Sequence, residues 1–290
     1  LRGNVFERGH ERMLPLYEAK MLHQYNHRWS TYRAGNSHEV TEKDLHDAAF
    51  TPLPRYWVHQ EQVTTRVIER WSKDYLLGWR NITNVTNERT TIAFAFPLAA
   101  VGHSTPLIFS QRGPLLLPVL TSMVCDYVAR QKLGGTNFTF NYFEQLAVIR
   151  PGSLESTCAW DSQLPLAEWV KSRFLELTHT AFDLAPFALD LADTNSFGRV
   201  NPPFIWDGER RSWLRAELDA AFFHLYGIKR DDVDYILETF PIVRRKDETT
   251  FGEYRTKERI LQIYDALSDA IETGQPYRSV LDPPPGHGPR

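Results

Sequence analysis

The chain has 290 residues, of which 42% are hydrophobic and 13% aromatic, which suits a packed core and argues against wholesale disorder. Its formal net charge of −3 excludes a basic surface spread over the whole molecule, of the kind that binds nucleic acid without regard to sequence. The two cysteines, Cys125 and Cys158, define neither a disulfide framework nor a metal-binding set.

No segment of the sequence is suited to a membrane or to export. The longest apolar run, residues 91–102, is interrupted by Pro97, and a signal-peptide pattern is absent. We therefore predict a cytoplasmic protein with no membrane partner. Because the sequence opens at Leu1 without a methionine, we also expect a piece of a longer polypeptide.

The first 151 residues carry the pattern of a mixed domain with short strands. Apolar residues within 14–29 favour short strands, and the polar residues 36–50 predict an exposed loop. A helix is expected over residues 60–73. Large apolar and small side chains alternate over residues 92–96, which predicts a half-buried strand.

A helix followed by a basic glycine turn is predicted from Leu120 onward. Apolar residues recur at three-and-four spacing, and Arg130 and Lys132 lie in the last turn, where cations interact favourably with the helix dipole. Gly134 and Gly135 would end the helix in the left-handed conformation. Such a turn can bring backbone amides and cations close to phosphate, and it can equally be an ordinary capped helix.

An aromatic segment follows the glycine turn. Phe138, Phe140 and Tyr142 alternate with polar residues, which is the spacing of an extended chain, and residues 146–151 favour a short strand. The aromatic side chains are expected to anchor the turn to the core.

A more acidic and more helical part of the chain begins at residue 152. Residues 152–205 predict an irregular connector with one helix, from Pro165 to about Thr180. Residues 206–282 predict a small helical subdomain, and residues 283–290 a tail. Its three helices are expected over residues 207–227, over 231–240, where Pro241 would end the helix, and over about 253–274. The predicted fold class is therefore α+β, a mixed short-stranded domain over residues 1–151 followed by the helical subdomain.

The most suggestive catalytic motif is Asn201-Pro202-Pro203-Phe204. Amino-methyltransferases use an Asn-Pro-Pro-Phe loop whose amide and carbonyl hold the target amine, while the aromatic ring stacks on a flipped base. That function requires a preceding strand and a glycine-rich cofactor loop, and neither is recognisable in the sequence. We interpret the two prolines as the entry to a helix and keep methyl transfer as an alternative.

No other set of side chains predicts catalysis or metal binding. His23 and His27 are four residues apart but lack the glutamate and cysteine partners of a zinc site. The acidic residues 231–234 lack the spacing of a calcium loop and are explained by helix capping. The basic run 244–246 is expected in a solvated loop before a helix, with a phosphate contact as the alternative.

Several longer segments resemble one family of proteins. Residues 14–29 (LPLYEAKMLHQYNHRW) resemble the segment that leaves the catalytic domain of large adenine-N6 DNA methyltransferases from type IIG-like restriction-modification and phage-defence systems. Residues 79–93, 126–136 (DYVARQKLGGT) and 145–148 resemble the target-recognition domain that follows, which is similar to Taq-type specificity domains. A resemblance to the helical tail of the same polypeptides covers residues 219–227, 231–243 and 252–257.

The resemblance implies a sequence-specific DNA recognition fragment of a larger enzyme. The parent would methylate adenine with S-adenosylmethionine bound in a catalytic domain outside this sequence, and a nuclease or a helicase elsewhere in the parent is left open. The implied partners are double-stranded DNA and that catalytic domain, and the fragment itself would hold no cofactor and perform no catalysis. The sequence departs from the family pattern because it lacks the cofactor-binding half and carries Asn-Pro-Pro-Phe after the recognition domain.

The resemblance also predicts which residues lie near DNA. Arg130 and Lys132 would mainly hold phosphate, while loop side chains read base edges. The structural alternative is that Arg130 caps its helix and Arg89 pairs inside the protein. The predicted set is Arg28, Arg80, Arg89, Thr90, Arg130, Lys132, Gly135, Thr136 and Asn137.

A second function stays open from the sequence alone. The acidic helical part could make the chain a protein-interaction module that docks on the methyltransferase, a nuclease or another defence subunit.

Overall fold

Short strands and short helices alternate up to residue 165, and longer helices form most of the rest. The computed structural model describes the backbone of residues 1–290 and every side chain except that of Pro151. The strands are β1 Phe6–Arg8, β2 Glu11–Tyr17, β3 Ser30–Arg33, β4 Asn36–Glu39, β5 Trp57–His59, β6 Tyr75–Trp79, β7 Ala93–Pro97, β8 Ala100–Val101, β9 Thr157–Cys158 and β10 Asp161–Pro165. The helices are α1 Glu42–His46, α2 Gln60–Val67, α3 Gly113–Thr121, α4 Met123–Lys132, α5 Phe140–Phe143, α6 Pro151–Leu154, α7 Leu166–Thr178, α8 Ala185–Asp190, α9 Gly208–Leu225, α10 Arg230–Glu238, α11 Pro241–Phe251 and α12 Arg255–Thr273. The predicted α+β class is confirmed.

The largest sheet is built around β2. This strand pairs antiparallel with β1 and with β5, and its last two residues pair in parallel with β8. The side chains of Leu14, Val63 and Ala100 fill a small core beneath it. The pairs β3–β4 and β9–β10 form separate two-stranded sheets.

The pair β6–β7 lies in the interior of the protein. All five residues of β6 are buried, and so are the first four of β7, so the strand predicted over residues 92–96 is confirmed but is buried on both faces. Gly78 is required here because a Cβ atom would stand 2.6 Å from the carbonyl oxygen of Pro106. Because Gly78 has no side chain, Leu107 can form an isolated antiparallel β-bridge with it at the edge of the β6–β7 pair.

The helical half of the chain is organised around α9. It packs against α12, α7 and α4. Asp207 caps its first turn by accepting a hydrogen bond from the backbone N–H of Arg210 at 2.9 Å, and Gly227, just beyond its end, has a φ of +66°. The helices predicted over residues 165–180, 207–227, 231–240 and 253–274 are confirmed in α7, α9, α10 and α12.

One continuous core joins the parts that the sequence divides. Buried side chains from Tyr17 to Ala270 form a single cluster. The backbone N–H of Met123, at the start of α4, donates to Asp219 of α9 at 2.7 Å. Residues on both sides of the predicted boundaries at 151 and 205 therefore share one interior.

The helix predicted from Leu120 is interrupted at Ser122. α3 ends at Thr121 and α4 begins at Met123, because Ser122 leaves the helical conformation with φ −66° and ψ 151°. Its Oγ accepts a hydrogen bond from the backbone N–H of Cys125 at 3.3 Å. Ser122 is therefore the N-cap of a new helix.

The prediction of a left-handed glycine stop was wrong. Gly134 and Gly135 are not among the residues with positive φ, and α4 ends instead at Leu133, which is buried and extended with φ −76° and ψ 107°. The residues that follow run beside residues 81–83 and hydrogen-bond to them, which requires an extended chain. The partner that decides this conformation is distant in the sequence.

The aromatic segment is extended only as far as Phe138, so that prediction was also wrong in part. The short helix α5 brings Phe140 and Phe143 onto one face, where both rings contact Trp79. Residues 146–150 form no strand. Phe138 is fully buried and does anchor the segment to the core, as expected.

Further corrections concern the connecting segments. Residues 36–50 contain β4 and α1, and the helix predicted over residues 60–73 ends at Val67. Pro241 begins α11, because proline suits the first turn of a helix. The basic run 244–246 therefore lies on a helix and not in a solvated loop.

Candidate nucleic-acid interface

Two loops, residues 81–87 and 132–137, lie side by side at the surface, and together we call them the double loop. The backbone N–H of Thr83 donates to the carbonyl of Thr136 at 3.0 Å, and the N–H of Phe138 donates to the carbonyl of Asn81 at 2.6 Å. The first loop follows β6 and the second begins at the last residue of α4. Each loop is thus fixed to a packed element and to the other loop.

Aromatic rings support the double loop from below. The indole N–H of Trp79 donates to the carbonyl of Phe138 at 2.9 Å. The Trp79 ring stacks on Phe143 with 4.0 Å between ring centroids and meets Phe140 edge-on at 5.1 Å. Because these rings are large and packed, they hold the backbone above them in one position.

Four of the nine predicted DNA contacts lie on the exposed side of the double loop. They are Lys132, Gly135, Thr136 and Asn137. The neighbouring loop adds exposed residues, among them Ile82 and Thr86. The double loop therefore presents an amide, hydroxyl groups and one cation to solvent.

Arg28 does not lie on a surface, which corrects its predicted place beside DNA. Its side chain is fully buried, and its guanidinium donates to the carbonyls of Asp47, Leu45 and Thr180 at 2.8, 3.0 and 2.9 Å. Three carbonyls have taken the place of water around the cation. Arg28 therefore ties the segment after α1 to the segment after α7.

Arg89 and Thr90 are also buried, and both bind Asp126 of α4. The guanidinium of Arg89 forms an ion pair with Asp126 at 2.8 Å, and the backbone N–H of Thr90 donates to the two carboxylate oxygens at 3.0 and 3.1 Å. The side chains of Arg89 and Asp126 are 2% and 0% exposed, so neither is available to DNA. The structure thus agrees with the alternative that Arg89 pairs inside the protein.

Arg130 shares Asp126 with Arg89 and connects three parts of the molecule. Its Nε lies 3.2 Å from the carboxylate, and its Nη2 donates to the carbonyls of Asn87 and Glu88 at 2.9 Å each. The guanidinium also lies 4.2 Å from the ring centroid of Phe240. Its role here is to position the end of the first loop, which differs from the predicted phosphate contact.

Arg80 is half-buried beneath the double loop. Its guanidinium donates to the carbonyl of Leu22, and burial lowers the pKa of Arg80 to about 10. No ion pair joins it to a carboxylate among the described side chains. Arg80 therefore carries a charge that the protein does not neutralise directly.

A polar cavity of about 290 Å³, here called the α9 pocket, lies beside these residues. One face of α9 forms its floor, with Gly208, Arg211 and Arg215 at the spacing of successive turns. Glu88 and Arg89, which directly follow the first loop, form part of its wall. The pocket and the double loop are therefore built on adjoining residues.

Arg211 and Arg215, the two pocket arginines on α9, form no ion pair with a carboxylate among the described side chains. Arg211 is buried, stacks on Trp206 at 3.6 Å and donates to the carbonyls of Leu177 and Tyr25 at 2.6 and 3.1 Å. Arg215 makes one long contact, 3.4 Å, with the side-chain oxygen of Gln24.

The pKa of Arg211 is that of a buried cation without an ion-pair partner. Burial, together with the neighbouring cations Arg215 and Arg28, lowers the pKa of Arg211 to about 9. Burial is the main cause of this shift, and the nearby cations add to it.

The Asn-Pro-Pro-Phe motif is part of a packed network and does not form an open site. The side-chain amide of Asn201 donates to Asp193 at 2.8 Å, and Phe204 is buried with the Arg290 guanidinium 3.6 Å from its ring centroid. Arg290 also pairs with Asp193 at 2.8 Å. A flipped base would need the ring face that Arg290 covers, so this arrangement disfavours methyl transfer at the motif.

Among the described residues we see neither a metal-binding cluster nor an activated thiol. No cluster of three or more His, Cys, Asp or Glu side chains in them could hold a metal ion. Cys125 and Cys158 are buried free thiols, and burial raises their pKa values to about 12 and about 11. In the described part of the chain, no helix has the length and apolar character needed to cross a membrane.

Comparison of the chain with protein-family models, with characterised proteins and with solved structures gave no match.

Several residues of this site were not found from the sequence. Trp79 and Phe143 support the double loop from positions that are far apart in the chain. Arg211 and Arg215 did leave a signal, because polar residues recur at three-and-four spacing along the helix predicted over 207–227. A search for apolar stripes alone passes over such a polar face.

Proposed function

We propose that this chain recognises DNA sequence and that the double loop is the part that contacts the base edges. The observation that carries the proposal is the pairing of two exposed loops on a rigid base of β6, α4 and Trp79. Amide and hydroxyl side chains can read base edges in the major groove, and a lysine can hold phosphate. In this arrangement Thr136 and Asn137 read bases, Lys132 contacts phosphate, and Gly135 allows close approach.

The family resemblance supports the same function. Two of the segments that carry it contribute most of the double loop, and they are residues 79–93 and 126–136. The proposed partner is the catalytic domain of an adenine-N6 DNA methyltransferase in the same parent chain, from a restriction-modification or phage-defence system. S-adenosylmethionine and methyl transfer belong to that domain, and we assign neither to the residues described above.

The buried residues of the predicted set have a positioning role in this proposal. Arg89, Thr90 and Arg130 hold the end of the first loop on α4 through Asp126. They set the distance between the two loops and do not contact DNA themselves.

The proposal is tested by the DNA affinity of the Lys132→Ala variant. Fluorescence anisotropy with a pool of randomised duplexes would be measured over a range of salt concentrations. Removal of one phosphate contact should weaken binding to all sequences and reduce the salt slope by about one counterion. The matched control is Lys43→Ala, which removes an exposed lysine on α1. An unchanged salt slope in Lys132→Ala would contradict the assignment.

Sequence reading is tested separately with Asn137→Ala. Duplexes selected from the pool by the wild-type chain and by the variant would be sequenced. Loss of a bidentate amide contact should relax the preference at one or two base pairs, by about 1–3 kcal/mol of discrimination. If the two selected pools have the same base preferences, Asn137 does not read bases.

A further inference from the structure

We propose that the α9 pocket binds a phosphate group, held by Arg215 and by the charge of Arg211. The pocket would accept the phosphate of a nucleotide, and, resting on the proposed function, the natural source would be a phosphate of the bound DNA. The double loop would then read bases while the pocket fixes the backbone of the same molecule.

The first argument is the unequal pairing of charges in the pocket. Glu88 forms an ion pair with Lys246, Asp219 accepts the N–H of Met123 at 2.7 Å, and Asp247 accepts the N–H of Thr256 at 2.6 Å. The cation Lys246 thus pairs with Glu88, while Asp219 and Asp247 are engaged by neutral N–H groups and form no ion pair with either arginine of α9. Arg211 and Arg215 form no ion pair, and Arg215 differs from the carbonyl-bound Arg28 in making only one long hydrogen bond.

The geometry of the two arginines is the second argument. They are four residues apart on α9, so their side chains leave the same face of the helix one turn apart. Arg211 is held in place by two carbonyls and by the Trp206 ring. Arg215 is half-buried, and its single contact with Gln24 is long, so its donors are available to an anion inside the cavity.

The rest of the lining suits a phosphate as well. Gly208, in the first turn of α9, and Ser212 both line the cavity, which adds the positive end of the helix dipole and a hydroxyl group. The volume of about 290 Å³ is at the lower limit of ordinary small-molecule sites. A mononucleotide or one phosphate of a strand is therefore a better match than a larger ligand.

The position of the pocket connects it with the double loop. Glu88 and Arg89 line the cavity and directly follow the first loop, and Arg130 holds the carbonyls of Asn87 and Glu88. A strand that contacts the loop at Asn87 is therefore one or two residues away from the wall of the pocket.

Isothermal titration of the full chain with AMP tests the pocket, and adenosine serves as the ligand without phosphate. AMP should bind and adenosine should not. Arg215→Gln should weaken AMP binding by about ten- to a hundredfold, as expected for the loss of a charged hydrogen bond. Arg215→Lys keeps the charge and should retain part of the affinity. The control Arg112→Gln changes an exposed arginine that pairs with Glu155 and should have no effect.

Binding of a short duplex to the same variants separates the two proposals. Duplex binding that requires Arg215 without any AMP binding supports the pocket as a site for an internal phosphate of DNA. If AMP binding requires Arg215 but the wild type binds no duplex, the proposed function is contradicted and the pocket proposal is supported. If duplex binding requires Lys132 while Arg215→Gln changes neither ligand, the pocket proposal is wrong and the proposed function stands.

Discussion

Arginines are buried in two neighbouring regions of this protein, and the two regions compensate the charge differently. Around Asp126, Arg89 and Arg130 share one carboxylate that also accepts the backbone N–H of Thr90. In the α9 pocket, Arg211 contacts backbone carbonyls and an indole ring, and Arg215 contacts only a side-chain amide.

This difference separates structural cations from cations that are available to a ligand. A buried charge that lacks partners costs several kcal/mol. Arg28 is satisfied by carbonyls alone, whereas Arg215 makes one long hydrogen bond and keeps donors available to an anion from outside. The sequence shows only arginines in both places, and it is the partners that distinguish them.

Replacement of Asp126 by asparagine would break the compensated region and should have the largest effect. The variant leaves Arg89 buried without a counter-charge, which should lower the free energy of unfolding by about 3–5 kcal/mol. Urea denaturation followed by circular dichroism measures the loss. Asp265→Asn is the matched control, because the pair Arg230–Asp265 has side chains 40% and 55% exposed and should contribute less than about 1 kcal/mol.

The pH dependence of stability should reveal the burial of His23, which stacks on Trp29 close to cations of both regions. Burial and the nearby charges of Arg80 and Arg215 hold the pKa of His23 well below its usual value of about 6.5. The unfolded chain therefore takes up the proton first, and stability should fall as the pH drops below about 6.5, by up to about 1.4 kcal/mol per pH unit. Denaturation of His23→Gln at several pH values should give a flatter profile, and a slope equal to that of the wild type would contradict this account.

Replacement of Arg215 by glutamine should have the smallest effect on stability, although it removes a charge. Because no carboxylate loses a partner, the free energy of unfolding without ligand should change by less than about 0.5 kcal/mol, or increase slightly. Thermal unfolding in low salt without phosphate provides the measurement. A loss comparable to that of Asp126→Asn would mean that Arg215 is a structural residue and would remove the contrast between the two regions.

Elements with strong local signals could be predicted from the sequence. α9 begins at Asp207 and ends before Gly227 because the cap and the glycine act within a few residues of the helix. The α+β class followed from the same kind of evidence. Local signals failed where a distant partner decided the conformation, as after Gly134 and Gly135, where Thr136 and Phe138 hydrogen-bond to a loop about fifty residues earlier in the chain.

The candidate site could be predicted only in part for the same reason. Lys132, Thr136 and Asn137, which the family resemblance suggested, are exposed on the double loop, and their contact with DNA stays a prediction. Arg28 and Arg89 carry the same charge as a DNA-contacting arginine, and their burial depends on Thr180 and Asp126, which lie far along the chain. Composition around an arginine does not report the carbonyl or carboxylate that folding brings to it.

The two loops of the double loop are linked through backbone atoms alone. The N–H of Thr83 meets the carbonyl of Thr136, and the N–H of Phe138 meets the carbonyl of Asn81. These bonds need only backbone groups, and the buried side chains of Thr83 and Phe138 anchor them, so the frame does not depend on the exposed side chains that it displays. The exposed positions can diversify at little cost in stability, and a new DNA specificity can evolve on an unchanged scaffold by exchange of a few side chains.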